Sequence, residues 1–219
     1  MRTLVDKDGR TPLLLAVAKR CQRSVQLLLE RSDVDVNLAD KNGQTPLSCV
    51  TAAWRHEAVK LLLERANIDP NFADQDGRTL LLWATGNGSW KAVQLLLART
   101  DIDPNLADKD GRTPLLLAIA KGCQTSIQLL LERADVDLNL ADKNGQTPLS
   151  WATATRRSGA VQLLLNRADV DPNLADNDGR TPLSWASANG SLQAVRLLLA
   201  RADVDPNLAS VLNGAVRPS

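Results

Sequence analysis

The chain has 219 residues with 26 basic and 25 acidic side chains, a balance that argues against a strong nucleic-acid footprint or a polybasic membrane anchor. Five Trp, one Phe and no Tyr stand against 39 Leu and 28 Ala, so the core is expected to be thin, repetitive and aliphatic rather than rounded. Acid usage is lopsided, 21 Asp to 4 Glu, which favours turns and caps over helix surfaces and predicts short helices joined by many turns.

From the N-terminus, Met1-Arg2-Thr3-Leu4-Val5-Asp6 carries no apolar core of a secretory signal. No apolar stretch approaches the roughly 18 residues that span a bilayer. Three Cys, an odd and sparse count, suit a reducing compartment, so an intracellular location, cytoplasmic or nuclear, is expected. Leu4-Val5-Asp6 matches Leu38-Ala39-Asp40, so residues 1–5 read as the remnant of a preceding repeat. The pattern D-x-x-G-x-T then recurs with its Gly at 9, 43, 77, 111, 145 and 179, each step 34 residues. Six units tile 6–39, 40–73, 74–107, 108–141, 142–175 and 176–209, and residues 210–219 remain as a tail.

Each unit opens with a tight Asp-x-Asp/Asn-Gly turn in which Gly supplies a positive φ. Thr follows as a helix N-cap with Pro at the first helical position (Thr11-Pro12, Thr45-Pro46, Thr113-Pro114, Thr147-Pro148, Thr181-Pro182), and Thr79-Leu80 is the one departure. A short first helix runs from Leu13 to about Lys19 in the first unit. A loop then leads to a second helix carrying Val25-Gln26-Leu27-Leu28-Leu29, whose apolar faces require burial on several sides. The unit closes in Asp-Val-Asp-Pro-Asn-Leu-Ala, read as an extended stretch.

These residues resemble the ankyrin repeat: Thr-Pro-Leu at a helix start, Val-x-Leu-Leu-Leu in a second helix, and Asp-Val-x-x-Asn before an Asp-x-x-Gly turn. The resemblance spans 6–209, six times in register, and the Ser150-Trp151-Ala152 and Ser184-Trp185-Ala186 versions look like arrays of filamentous fungi. It implies an all-α solenoid of stacked helix-turn-helix units joined by hairpin-like loops. The usual period is about 33 residues, and the extra residue falls in the Asp-Val-Asp-Pro-Asn segment. The family's His after Thr-Pro-Leu is replaced by Leu14, Ser48, Leu82, Leu116, Ser150 and Ser184, so hydrogen bonds between helix starts are absent or made differently. Gly88, Gly122 and Gly190 keep the family's loop Gly, but Arg20, Trp54 and Arg156 do not, and distorted loops are expected there. Val50 stands where the other units carry Ala, extra bulk that loosens the second unit.

A longer period lies above the short one. Units 6–39 and 108–141 agree at 28 of 34 positions, 40–73 and 142–175 at 23, and 74–107 and 176–209 at 24. A duplicated three-unit block explains this, and a ligand with two equivalent contact points is the sharper alternative.

Enzymatic chemistry finds no constellation. His56 is the only His, which removes a His-based triad or multi-His metal site. Cys21 and Cys123 occupy equivalent positions three units apart, Cys49 reads as core, and no combination gives a tetrahedral metal set. The acidic tips lack the ligand density of a calcium loop, and Thr85-Gly86-Asn87-Gly88-Ser89 lacks a phosphate-binding Lys. No cofactor is expected. Arg31, Arg65, Arg99, Arg133, Arg167 and Arg201 follow the second helix in every unit; they read as helix C-terminal cations balanced by Asp33, Asp35 and their equivalents, or as a basic ladder for an acidic partner.

The expected role is a non-catalytic protein–protein interaction scaffold; the alternative is a recruitment segment of a larger, enzymatic, multidomain protein. The resemblance places partner contacts on the hairpin tips and the concave side of the first helices. By position the tips are Lys7, Asp8 and Arg10; Lys41, Asn42 and Gln44; Gln75, Asp76 and Arg78; Lys109, Asp110 and Arg112; Lys143, Asn144 and Gln146; and Asn177, Asp178 and Arg180. The helix positions are Lys19, Ala53, Asn87, Lys121, Thr155 and Asn189. Such a surface suits a protein or peptide rather than nucleic acid or a membrane. Trp54 and Trp90 depart from the repeat pattern and form one aromatic patch, or each folds over its own loop. Trp83, Trp151 and Trp185 replace Leu in the first helix and read as core. The last unit keeps Val195-Arg196-Leu197-Leu198-Leu199 without polar replacement, so the array is an excerpt of a longer one, its end is covered by residues 210–219, or it self-associates through its end units.

Overall fold

The computed structural model describes residues 5–46, 48–49, 56–63 and 69–208. Val50, Ala53, Trp54 and Arg65, together with the terminal segments 1–4 and 209–219, lie outside the described residues. Among the described residues the structure is helical, without strands. First helices span Pro12–Ala18, Leu80–Gly86, Pro114–Lys121, Pro148–Ala154 and Pro182–Ala188. Second helices span Gln22–Leu29, His56–Leu63, Trp90–Leu97, Gln124–Leu131, Ser158–Leu165 and Leu192–Leu199. Among the described residues first helices pack on neighbouring first helices from Leu80–Gly86 to Pro182–Ala188, and second on second from Gln22–Leu29 to Leu192–Leu199, giving two layers. The core is one continuous aliphatic seam between them, from Leu13 and Val25 through Leu115, Ile127 and Leu130 to Ala194 and Leu198.

Local sequence sets each helix start. Thr11, Thr79, Thr113, Thr147 and Thr181 hold extended backbone, and each Oγ1 accepts the N–H of the residue three positions on. Where that residue is Ser, the cap becomes reciprocal: Thr45 N–H donates to Ser48 Oγ at 2.9 Å, and Thr147 Oγ1 donates to Ser150 Oγ at 3.2 Å. Where it is Leu, as at Leu14, Leu82 and Leu116, an apolar side chain is buried instead.

The loops of the first and fifth units are strained rather than distorted. Arg20 (φ 62°) and Arg156 (φ 56°) adopt the left-handed conformation that Gly122 (φ 70°) holds in the fourth unit. The closing bonds are alike, Cys21 N to Ala16 O at 2.9 Å, Arg157 N to Ala152 O at 2.8 Å and Cys123 N to Ala118 O at 3.1 Å. Arg156→Gly is therefore expected to leave stability within about 1 kcal/mol of the parent, because the relief of a left-handed side chain is offset by the added freedom of the unfolded chain and by the loss of the Arg156 donation to Asn189 O. A urea midpoint close to that of the parent with unchanged slope checks it.

The closing segment is a turn, not the extended stretch expected. Asp103 Oδ1 accepts Asn105 N–H at 2.9 Å and so bends the chain, and the same turn recurs at Asn139 and Asn173. The bend aims each Asn carboxamide at the next unit. Asn105 Nδ2 donates to Asp135 O at 2.7 Å while its Oδ1 accepts Asp137 N–H at 2.8 Å. Asn71, Asn139 and Asn173 make the same two-bond clip.

The Arg column ties units together in the opposite direction. Arg99 grips Asp101 with two nitrogens, at 2.8 and 2.6 Å, and Arg167 grips Asp169 at 3.1 and 2.9 Å. These hydrogen bonds hold the Asp101 and Asp169 carboxyls below their ordinary value. The remaining Nη1 donates to the preceding unit, Arg99 to Leu63 O and Arg167 to Leu131 O, both at 2.7 Å. Arg133 reaches Leu97 O and Arg99 O, and Arg201 reaches Arg167 O. The column thus satisfies carbonyls at the end of the previous second helix, as well as balancing its own Asp.

Candidate functional site

The tips are built by one Asp per turn. Asp108 Oδ1 accepts Asp110 N–H at 2.9 Å and Arg112 N–H at 3.0 Å, and Gly111 N–H returns to Asp108 O at 2.8 Å. Consecutive tips then bond backbone to backbone: Lys41 N to Asp8 O, Lys109 N to Asp76 O, Lys143 N to Asp110 O and Asn177 N to Asn144 O, at 2.9–3.0 Å. Gly145 sits so close to the next tip that an added Cβ would lie 2.7 Å from Asn177 N. The backbone of this edge is rigidly held, and its side chains are what it offers.

The predicted positions divide accordingly. Lys7, Lys41, Lys109 and Lys143 are exposed, as are Asn42, Asp76, Asp110, Asn144 and Asp178; Asp8 is half-buried. Gln75 and Asn177 are exposed too, but each side-chain amide donates to the preceding tip, Gln75 to Lys41 O at 2.6 Å and Asn177 to Lys143 O at 2.8 Å. Along the first helices Lys19, Lys121 and Thr155 are exposed, while Asn87 and Asn189 are half-buried.

The third tip column splits into two kinds, which the sequence reading did not anticipate. In the first and fourth units a Leu occupies the first helix at positions 15 and 117, and the tip Arg pairs with its own acids. Arg10 binds Asp6 and Asp8 at 2.9 and 2.8 Å, and Arg112 binds Asp108 and Asp110 at 2.9 and 2.6 Å. In the third and sixth units Trp83 and Trp185 stand there instead. Their Nε1–H groups donate to Asp74 Oδ2 at 2.9 Å and Asp176 Oδ2 at 2.8 Å, the oxygen the Arg takes elsewhere. The displaced Arg lies over the indole, Arg78 at 5.0 Å and Arg180 at 4.8 Å from the ring centre. Trp151 makes the same bond to Asp142 at 3.0 Å, with Gln146 in place of Arg.

The three Trp are therefore half-buried, Trp151 packed against the edge of the core, because an indole N–H needs an acceptor and the nearest is the tip Asp. The nine-residue spacing from Asp to Trp was the signal available. Cys49, in the same column, is also half-buried and packs against the core; its thiol faces Gln44 Oε1 at 3.6 Å, and burial pushes its pKa up to about 11.

A cavity of about 190 Å³ opens between the third and fourth units, lined by Arg78, Trp83, Asn87, Arg112 and Leu117 among others. Asn87 Nδ2 is buried and has no hydrogen-bond partner among the described residues. A second hollow, about 220 Å³, lies among the tips of the fifth and sixth units at Asn144, Gln146, Asn177 and Trp185. Trp90 is 41% exposed at the start of its helix, with Lys91 Nζ 5.6 Å from its ring centre. Its expected patch with Trp54 falls outside the described residues. Among the described residues no three His, Cys, Asp or Glu converge as a metal site, and no helix is long and apolar enough to cross a membrane.

Residues 2–74, 49–142 and 127–209 each match the family profile described as ankyrin repeats (3 copies). Among solved structures the chain is similar to the ankyrin repeat protein EF0377, at TM-score 0.81 and 26% identity over 86% of this chain and 96% of that one. The ankyrin repeat domain of Bcl-3, described as a unique member of the IkappaB protein family, gives TM-score 0.79 and 30% identity over 89% and 87%. An ankyrin repeat domain from Acinetobacter baumannii AYE gives 0.78 and 29% over 86% and 96%. No curated protein matches the chain.

Proposed function

The chain belongs to the ankyrin repeat family, whose domains generally mediate protein–protein interaction, and from that premise we propose a non-catalytic scaffold that binds an extended segment of a partner protein along its tips and first-helix side. The proposed array comprises six units over 6–209, flanked by residues 1–5 and the tail 210–219. The observation that carries the reading is the pairing of a hydrogen-bonded tip backbone with outward side chains. The geometry costs a ligand little ordering, because the receptor side is already fixed. Arg78 and Arg180 are the proposed anchors: each has its guanidinium stacked on an indole and, among the described residues, no carboxylate in an ion pair. They offer donors to carboxylates or carbonyls of the bound segment. Three free cysteines support a reducing, intracellular setting.

The test is capture from extract with three proteins: the parent, a variant with Arg78→Ala, Lys109→Ala and Arg180→Ala, and a variant with Gln128→Ala on the exposed face of a second helix. A partner lost with the first variant and kept with the second supports the reading. Equal capture by all three removes the tips from the site. Matching thermal melts of the variants establish that the fold is unchanged.

A further inference from the structure

The outward faces of the first and last units are complementary to one another, and the reason lies inside the molecule. Unit 74–107 meets unit 108–141 in the middle of the array. Unit 176–209 is a near copy of the former and unit 6–39 of the latter, each offset by 102 residues. The junction at the centre is therefore a template for a junction between the end of one chain and the start of another.

The template can be read bond by bond. Lys109 N donates to Asp76 O at 2.9 Å, Asn105 Nδ2 donates to Asp135 O at 2.7 Å, and Asp137 N donates to Asn105 Oδ1 at 2.8 Å. The equivalents are Lys7 and Asp178, Asn207 and Asp33, and Asp35 with Asn207, identical in residue type at every position. Among the described residues none of these three bonds is made at the ends.

Burial tells the same story. Leu97, at the central junction, is 9% exposed, whereas Leu199 is 53% exposed. Leu130 is fully buried while Leu28 is half-buried, and Pro114 is buried while Pro12 is exposed. Around Pro12, Leu28, Val34 and Leu38 the first unit carries an apolar hollow of about 210 Å³, on the face that unit 108–141 turns towards its predecessor. Residues 1–5 share the register of 205–209, so the docked last unit takes their place and its tail turns away after Ala209; Thr3 stands at the Asn207 position and lacks the carboxamide that makes the clip.

We propose that this chain binds a second copy of itself head to tail, the last unit of one copy docking on the first unit of the next as 74–107 docks on 108–141. The contact is heterologous, so it does not close on itself and extends the array in steps of six units. It uses faces perpendicular to the tip edge and is independent of the partner reading above.

Light scattering coupled to size exclusion tests it on the full chain across the micromolar range. The expected result is a mass that climbs with concentration above the 23.7 kDa of one chain, without a plateau at the dimer. Leu27→Glu charges the first-unit face and Leu199→Glu the last-unit face; both residues are more than half exposed, so neither change disturbs the core. Each variant alone should stay at the mass of one chain, and the two mixed should give a 1:1 complex, since each retains the face the other lacks. Asn207→Ala should weaken assembly about tenfold, the loss of two hydrogen bonds. A parent chain of constant single-chain mass overturns the proposal. So does assembly that persists in both Glu variants, or a plateau at a dimer.

Discussion

Leu130→Ala is expected to lower the stability of the array by about 2–5 kcal/mol. Leu130 is fully buried, on the second helix of the fourth unit, where the layers of the third and fourth units meet. Its removal leaves a cavity that neighbouring Leu and Ile side chains fill only in part. Leu28 supplies the comparison: it is the same residue in a nearly identical unit but half-buried. Its replacement by Ala should cost about 1–2 kcal/mol, in line with the smaller area withdrawn from water. In a solenoid the loss falls on one unit and its two junctions, so a defect at the centre weakens the coupling between halves. Urea unfolding followed by circular dichroism should show a much lower midpoint for Leu130→Ala, with a broadened or split transition. A shift equal to that of Leu28→Ala would refute the reading that the central junction holds Leu130 more tightly than the outward face of the first unit holds Leu28.

The second large effect is expected at a tip. Gly111 has φ 77°, and a Cβ there would lie 2.9 Å from Lys143 N and 3.1 Å from Asp142 C. Alanine in that conformation costs about 1–2 kcal/mol before any contact is considered. The contact is with backbone, which cannot swing aside, so Lys143 N and Asp110 O must separate and their 3.0 Å bond is lost. The summed cost is about 2–4 kcal/mol. Gly88→Ala isolates the first part, because Gly88 has φ 71° and nothing within 4 Å of the added carbon. The difference between the two unfolding midpoints measures the tip-to-tip contact itself, and equal midpoints would show that the tips do not couple.

Much of this fold was legible in the sequence because its signals are local. Thr before Pro, Gly at a fixed offset and three consecutive Leu each act within a few residues, and each did what its position required. The contacts that join units were not legible. Asn105, Asn139 and Asn173 have the composition of turn residues and do form turns, which hides their second use as clips. Arg99, Arg133 and Arg167 follow a helix as C-terminal cations should, yet their carbonyl partners belong to the preceding unit. Both devices join residues about one unit apart, beyond the reach of a single-unit reading. The Trp residues failed for another reason. Substitution for Leu suggests size alone, but the indole carries a donor, and meeting its need moved an Arg from its acids to the ring face.

The couplings between units have a consequence for how such a chain finds its structure. Those reported above join residues 30 to 36 apart, whichever pair of neighbours is considered. The entropy of closing a loop depends on its own length and not on that of the chain. Adding units lengthens the protein while leaving each closure the same size, so the absolute contact distance stays constant and its ratio to chain length falls. By that measure a longer array has no slower elementary step than a short one, and folding begun at any adjacent pair can spread outward in both directions.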